Sequence, residues 1–195
     1  MFLMLGSYCI IAQHSLKKDI DFNLLVGPGH INFIQGTSIQ NNLTYGLGRL
    51  FSAELNFTYV NAREGLSNFG YSTDNLEVFQ GYYKILHCSI YSIGTDIYFT
   101  PVNIGRHLLG IGGGLSLNYQ VEDAAYIAEG DRNNQVGISN RTSYGPGIDL
   151  GVKYSYLLTD KILLGAKWNG IYHNDSSGSF LVSVGYRLSA CNSVE

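Results

Sequence analysis

A strict alternation of side-chain character along the C-terminal half leaves this chain few possible folds. From Leu109 the odd positions read Leu109, Ile111, Gly113, Leu115, Leu117, Tyr119 and Val121, against Gly110, Gly112, Gly114, Ser116, Asn118 and Gln120. The pattern returns over Tyr144–Tyr156, Ile162–Tyr172 and Phe180–Leu188. A period of two means a strand whose two faces differ. Less regular stretches obey the same rule at Phe22–Val26, Leu43–Leu47, Leu55–Tyr59 and Tyr91–Phe99, which brings the count to about eight strands. No stretch after residue 13 offers the run of about eighteen apolar residues that a membrane-crossing helix needs. The class expected is all-β.

Which face is buried decides between a soluble and a membrane protein. Only 14% of the residues are charged, where about 25% is usual, so something other than a charged shell meets the surroundings. The small or polar face carries Gly110, Gly112, Gly114, Gly145, Gly147, Gly151 and Gly165, and a glycine-rich face buries little area as an oily core. The opposite face is aliphatic, with Tyr119, Tyr154, Tyr156, Trp168, Tyr172 and Tyr186 toward the strand ends. Such a face suits lipid, edged by aromatic girdles whose rings are apolar at one end and wet at the other. The expected fold is a single antiparallel up-and-down transmembrane β-barrel.

On that reading Asp21, Glu54, Asp96, Asp149, Lys153, Lys167 and Arg187 point into the lumen. Isolated charges there would be costly, so mutual pairing is the economical arrangement. An eight-stranded lumen is nearly filled by side chains, which argues against a wide pore. Short connections are expected at Phe51–Ser52, Pro101–His107 and Thr159–Lys161, and long polar ones near His30–Asn42, Asn61–Gln80, Glu122–Arg141 and His173–Ser179. Tight turns at one end and long loops at the other are the transmembrane-barrel pattern. Residues 1–12, an apolar run ending Ile10-Ile11-Ala12 before Gln13, read as a secretory signal peptide, leaving 13–195 as the barrel domain.

Other classes are set aside on composition. A formal net charge of -3, with no basic cluster longer than Lys17-Lys18, gives no footprint for nucleic acid. Cys9, Cys88 and Cys191 lack zinc-site spacing, and His14, His30, His107 and His173 are scattered, so neither metal nor cofactor is expected.

The alternation, the four long loops and the closing strand Phe180-Leu-Val-Ser-Val-Gly-Tyr-Arg-Leu188 resemble the small outer-membrane β-barrel domains of the OmpA-like and OmpX-like group. That resemblance implies a place in the outer membrane of a Gram-negative bacterium, contact with its lipid, and insertion by the barrel assembly machinery. It also implies a non-enzymatic structural or surface-interaction role exercised through extracellular loops, with the loop partner unidentified. Loops on a rigid scaffold are where such function usually sits. Two alternatives stay open. One is a secreted lipocalin-like barrel holding an apolar ligand. The other starts from His87-Cys88-Ser89, which resembles the His-x-Ser pair of outer-membrane lipid A deacylases. His87 and Ser89 share a strand face, but the third group that orients the base is not singled out by the sequence.

Overall fold

The computed structural model describes residues 19–188 apart from 33, 49, 64–82, 128–135 and 174. The expected signal peptide, Cys9 and Cys191 lie outside the described residues, as does most of the Asn61–Gln80 loop. Eight strands follow in order: β1 (Ile20–Ile31), β2 (Ile34–Gly46), β3 (Phe51–Arg63), β4 (Tyr83–Ile104), β5 (His107–Ile127), β6 (Val136–Leu157), β7 (Ile162–Tyr172) and β8 (Ser176–Leu188). Each pairs antiparallel with the next, and β8 returns to β1, closing the barrel. Closure leaves no unpaired sheet edge, which is what a strand protein needs to cross a bilayer.

The stagger of the ring follows from the register. Crossing from partner to partner, Ile20 leads through Tyr45, Ala53, Ile97, Gly113, Leu150, Gly170 and Gly178 to His30 of β1, ten residues along. Eight strands with that shear must tilt by about 40° to the barrel axis, so side chains converge on a narrow interior.

Alternation decides what fills it. Phe22, Leu24, Val26, Leu43, Phe57, Ile93, Leu115, Leu117, Ile148, Val182 and Val184 are all exposed on the outside, while Asn42, Glu54, Asn56, Asp96, Ser116, Asn118, Asp149, Lys167 and Asn169 are buried inside. This is the inverse of a soluble barrel, and it removes the lipocalin-like alternative, which requires an apolar interior. Large inner side chains sit opposite glycine. Tyr98 pairs with Gly112, where an added Cβ would lie 2.7 Å from the tyrosine ring.

Several connections differ from the sequence expectation. His30–Asn42 is no long loop: β1 and β2 continue to Ile31 and Ile34, and Asn32 makes the tight turn at φ 52°. Asparagine tolerates that left-handed conformation, and two-residue hairpins favour it. Phe51 and Ser52 belong to β3, Pro101 to β4, and Glu122 and Arg141 to β5 and β6. Ser176 to Ser179 belong to β8. Between β4 and β5, Gly105 at φ 60° makes the turn with Arg106.

The lipid-facing assignment has a direct test. Leu115 is 69% exposed and lies mid-strand opposite Thr95 and Ile148. Leu115→Arg is expected to destabilise the barrel in bilayers by about 2–4 kcal/mol, as arginine does on a lipid-facing midplane. On a water-facing wall the same change would stay within about 0.5 kcal/mol. Urea titration of the barrel in lipid vesicles separates the two.

Candidate active site on the outer wall

The lumen holds the seven charges singled out by sequence, in two groups. Nearest residues 19 and 188, Arg187 donates from Nε and Nη2 to the two oxygens of Asp21 at 2.8 and 2.9 Å, with Asp19 3.6 Å from Nη1. Further in, Glu54 accepts from Lys153 at 3.0 Å and Lys167 at 2.6 Å, and also from Asn42 at 2.9 Å and Thr44 at 3.2 Å. Asp96 lies 4.0 Å from Lys167 and accepts from Asn56, while Asp149 accepts from Ser116. The Lys153 ammonium sits 3.9 Å above the Tyr98 ring. Toward the opposite end, inward-facing Ile31, Val60, Ala62, Cys88 and Ile90 pack as an apolar cluster. The alternation of β5 and β6 did not signal that cap, because its residues come from β1, β3 and β4. These layers bind charges to one another and fill the interior; they offer no grouping suited to chemistry on a substrate.

On the outside, Tyr154, Tyr156 and Tyr186 lie toward the end where the described chain begins and ends, and Tyr119, Trp168 and Tyr172 in the opposite half. Tyr119 belongs to a row that sequence reasoning did not assemble. Tyr59, Tyr91, Tyr119 and Tyr144 are register partners across four adjacent strands, with ring centroids 4.8 Å apart for Tyr59–Tyr91 and 6.2 Å for Tyr91–Tyr119.

Within the next two outward positions above this row, at the end away from the described termini, the outer face turns polar on β3, β4 and β5. Ser89 and His87 continue the outward series of β4 above Tyr91, Asn61 that of β3 above Tyr59, and Asp123 that of β5 above Tyr119. Ser89 is paired with Asn61, and His87 with Asp123. The Ser89 Oγ lies 3.2 Å from His87 Nε2, and His87 Nδ1 lies 3.3 Å from Asp123 Oδ2. Asn140 of β6 donates to the other Asp123 oxygen at 2.7 Å, which fixes that carboxylate. A carboxylate at Nδ1 favours the tautomer that carries its hydrogen there, leaving Nε2 free to accept the serine proton. Both bonds are long for proton transfer, as such contacts commonly are before substrate binds.

Asn61 completes the cluster. Its Nδ2 lies 2.9 Å from Ser89 Oγ, 2.8 Å from His87 Nε2 and 2.9 Å from Tyr59 Oη. An amide nitrogen carries two hydrogens, so it serves two of these three acceptors at a time and can release one when another acceptor arrives. Ser89 is 3% exposed, while the His87 and Asp123 side chains are about one-third exposed, so the serine sits at the floor of the cluster. The sequence supplied His87 and Ser89; Asp123, Asn61 and Asn140 come from the structure.

No protein-family model matches the chain, and no curated protein matches it by sequence. Solved structures do match its fold. The attachment invasion locus protein Ail of Yersinia pestis is 10% identical with a TM-score of 0.52, over 88% of this chain and 99% of its own. Neisserial surface protein A is 16% identical with a TM-score of 0.52, over 89% and 99%. The outer membrane protein OprG of Pseudomonas aeruginosa is 12% identical with a TM-score of 0.51, over 89% and 97%. With its closed ring, polar interior and apolar outer belt, the chain is a small eight-stranded outer-membrane β-barrel. At these identities the likeness concerns the fold, and function has to be argued from the residues.

Proposed function

We propose that this barrel is a serine hydrolase of the outer membrane that cleaves acyl esters of outer-leaflet lipids, lipid A among them. The observation that carries this reading is the Ser89–His87–Asp123 chain of contacts on the lipid-facing wall. A seryl nucleophile, a base in reach and an acid orienting the base is the constellation that acyl transfer requires. In the orientation usual for such barrels, with the long connections, here β3–β4 and β5–β6, facing outward, the cluster lies at the outer-leaflet interface, where lipid ester bonds lie.

The step follows from the contacts. Ser89 Oγ attacks the ester carbonyl while His87 Nε2 takes the hydroxyl proton. The carbonyl oxygen becomes an oxyanion, toward which Asn61 Nδ2 can turn a hydrogen. Collapse expels the alcohol, which receives the proton from His87, and leaves an acyl-Ser89 ester. Water, deprotonated by His87, then releases the fatty acid and restores the serine.

The test is whether purified barrel in lipid vesicles hydrolyses p-nitrophenyl butanoate and is labelled at Ser89 by a fluorophosphonate. Labelling and turnover that both vanish in Ser89→Ala support the reading. Equal turnover in wild type and Ser89→Ala, with no label, sinks it. A second reading keeps the non-enzymatic surface role, and the lumen favours it, because an interior filled by ion pairs and an apolar cap suits a rigid scaffold for loops. It expects an unlabelled Ser89.

A further inference from the structure

Midway along the lumen, two buried oxygens converge on a place where the wall carries no side chain. Gly94 of β4 faces inward between its register partners, Asn56 of β3 and Ser116 of β5. The point where its Cβ would stand lies 2.5 Å from Asp149 Oδ2 and 2.8 Å from Asn56 Oδ1. Asp149 is 2% exposed and Asn56 1%, and neither oxygen has a hydrogen-bond partner among the described residues. Their other polar atoms are committed: Asp149 Oδ1 accepts from Ser116, and Asn56 Nδ2 donates to Asp96 at 2.8 Å. Turning the Asn56 amide over would set its oxygen against the Asp96 carboxylate. Two acceptors are therefore aimed at one spot by the hydrogen bonds behind them.

Charge points the same way. Glu54, Asp96 and Asp149 share this part of the lumen with two ammonium groups, those of Lys153 and Lys167, which leaves one negative charge in excess. Both lysines lean on Glu54 and one of them on Asp96, so Asp149 is the carboxylate that no ammonium among the described residues approaches within 4.0 Å. An uncompensated charge in a buried interior is costly. We propose that Asp149 Oδ2 and Asn56 Oδ1 hold a small monovalent cation, sodium or potassium, in the space over Gly94. Oxygen donors suit a hard cation, and one positive charge cancels the excess where a divalent ion would reverse it. A cavity of about 50 Å³ at the end where the described chain begins and ends is lined by Asn42, Glu54 and Lys167 among others, and Asn42 is the register partner of Asn56. The apolar cluster of Ile31, Val60 and Ile90 closes the other end, so the ion enters and leaves from the cavity side. No sequence motif announces the site, because its two donors come from β3 and β6, which are not neighbours in the sheet. It stands independently of the hydrolase reading.

The experiment is urea titration of the barrel in phosphatidylcholine vesicles, at equal concentrations of sodium chloride, potassium chloride or N-methylglucamine chloride, so that screening is the same in all three. A ligand held only by the folded state raises the midpoint as its concentration rises. Wild type is expected to unfold at higher urea in sodium or potassium than in the organic cation, which is too large for the lumen. Asp149→Asn removes the excess charge at unchanged size, and Gly94→Ala puts a methyl group where the ion would stand. Both should lose the difference between the salts. The unboiled, fast-migrating gel form shows that each variant folds, and Asp149→Asn decides alone if Gly94→Ala does not. Equal wild-type midpoints in all three salts would overturn the site and assign the extra charge to a bound proton. A salt difference that survives in Asp149→Asn would overturn it as well, because the cation would then act elsewhere.

Discussion

Ser89→Ala is expected to lower kcat for ester hydrolysis by at least about 10³-fold, with KM little changed. The hydroxyl forms the covalent intermediate, so its loss removes the chemical step while the apolar contacts of the substrate remain. His87→Ala should cost about as much, and the double variant Ser89→Ala/His87→Ala no more than either alone. Groups that act as a unit lose their whole effect with the first deletion. Asp123→Asn is the more discriminating change. The amide keeps the size of the side chain but can donate to Nδ1, which favours the tautomer that cannot accept the serine proton, and kcat should fall about 10²–10⁴-fold. Asn140→Ala should have a smaller effect, because it holds only the second Asp123 oxygen. Additive losses in the double variant, or an Asp123→Asn protein as active as wild type, would show that the three residues do not work together.

The parts of this molecule that were legible in sequence are those where one face differs sharply from the other. Leu109–Val121 and Tyr144–Tyr156 announce strands and faces because their inner residues are glycine or polar while their outer ones are bulky. The same polarity misleads at the β1–β2 hairpin. Ser38, Gln40 and Asn42 are polar because they are buried in the lumen, yet a run of such residues reads as loop when water is assumed to be the solvent. Reading Asn32 as a left-handed turn residue would have found that hairpin. Asp123 stayed hidden for a geometric reason. Counting back from the Gly105–Arg106 turn, the register that pairs Ile104 with His107 would place His87 opposite Ala124. A register shift between Phe99 and Val102 moves the pairing by one residue and brings Asp123 there instead. One residue in a strand is the difference between inside and outside, so the acid could not be found without the irregularity.

Glu54→Gln is expected to destabilise the folded barrel by about 3–5 kcal/mol, the cost of breaking a buried ion pair by removing one partner. Glu54 is the node of the lumen: Lys153, Lys167, Asn42 and Thr44 all donate to it. Without its charge two ammonium groups face a neutral amide, and Lys167, itself buried, is left with Asp96 at 4.0 Å as its nearest ion-pair partner. Lys153 is better placed to adjust, since it is partly open to solvent and retains the face of Tyr98. Lys153→Met should therefore cost less than Glu54→Gln. The pair Glu54→Leu/Lys167→Met should recover part of the loss, because it removes the closest ion pair, 2.6 Å apart, as a unit, although Asp96 and Lys153 each lose one partner. The temperature at which the unboiled, fast-migrating form disappears on a detergent gel, alongside urea titration in vesicles, reads all three variants. Equal stability of Glu54→Gln and wild type would mean that water in the lumen solvates these lysines, making the interior a hydrated channel instead of a locked plug. The proposed lipid-ester chemistry does not depend on that outcome, because Ser89 stands on the outer face of β4 at the level of the apolar cluster, seven residues along the strand from Asp96 and the ion pairs. The barrel wall gives the hydrolytic cluster its position, and the lumen gives the wall its rigidity.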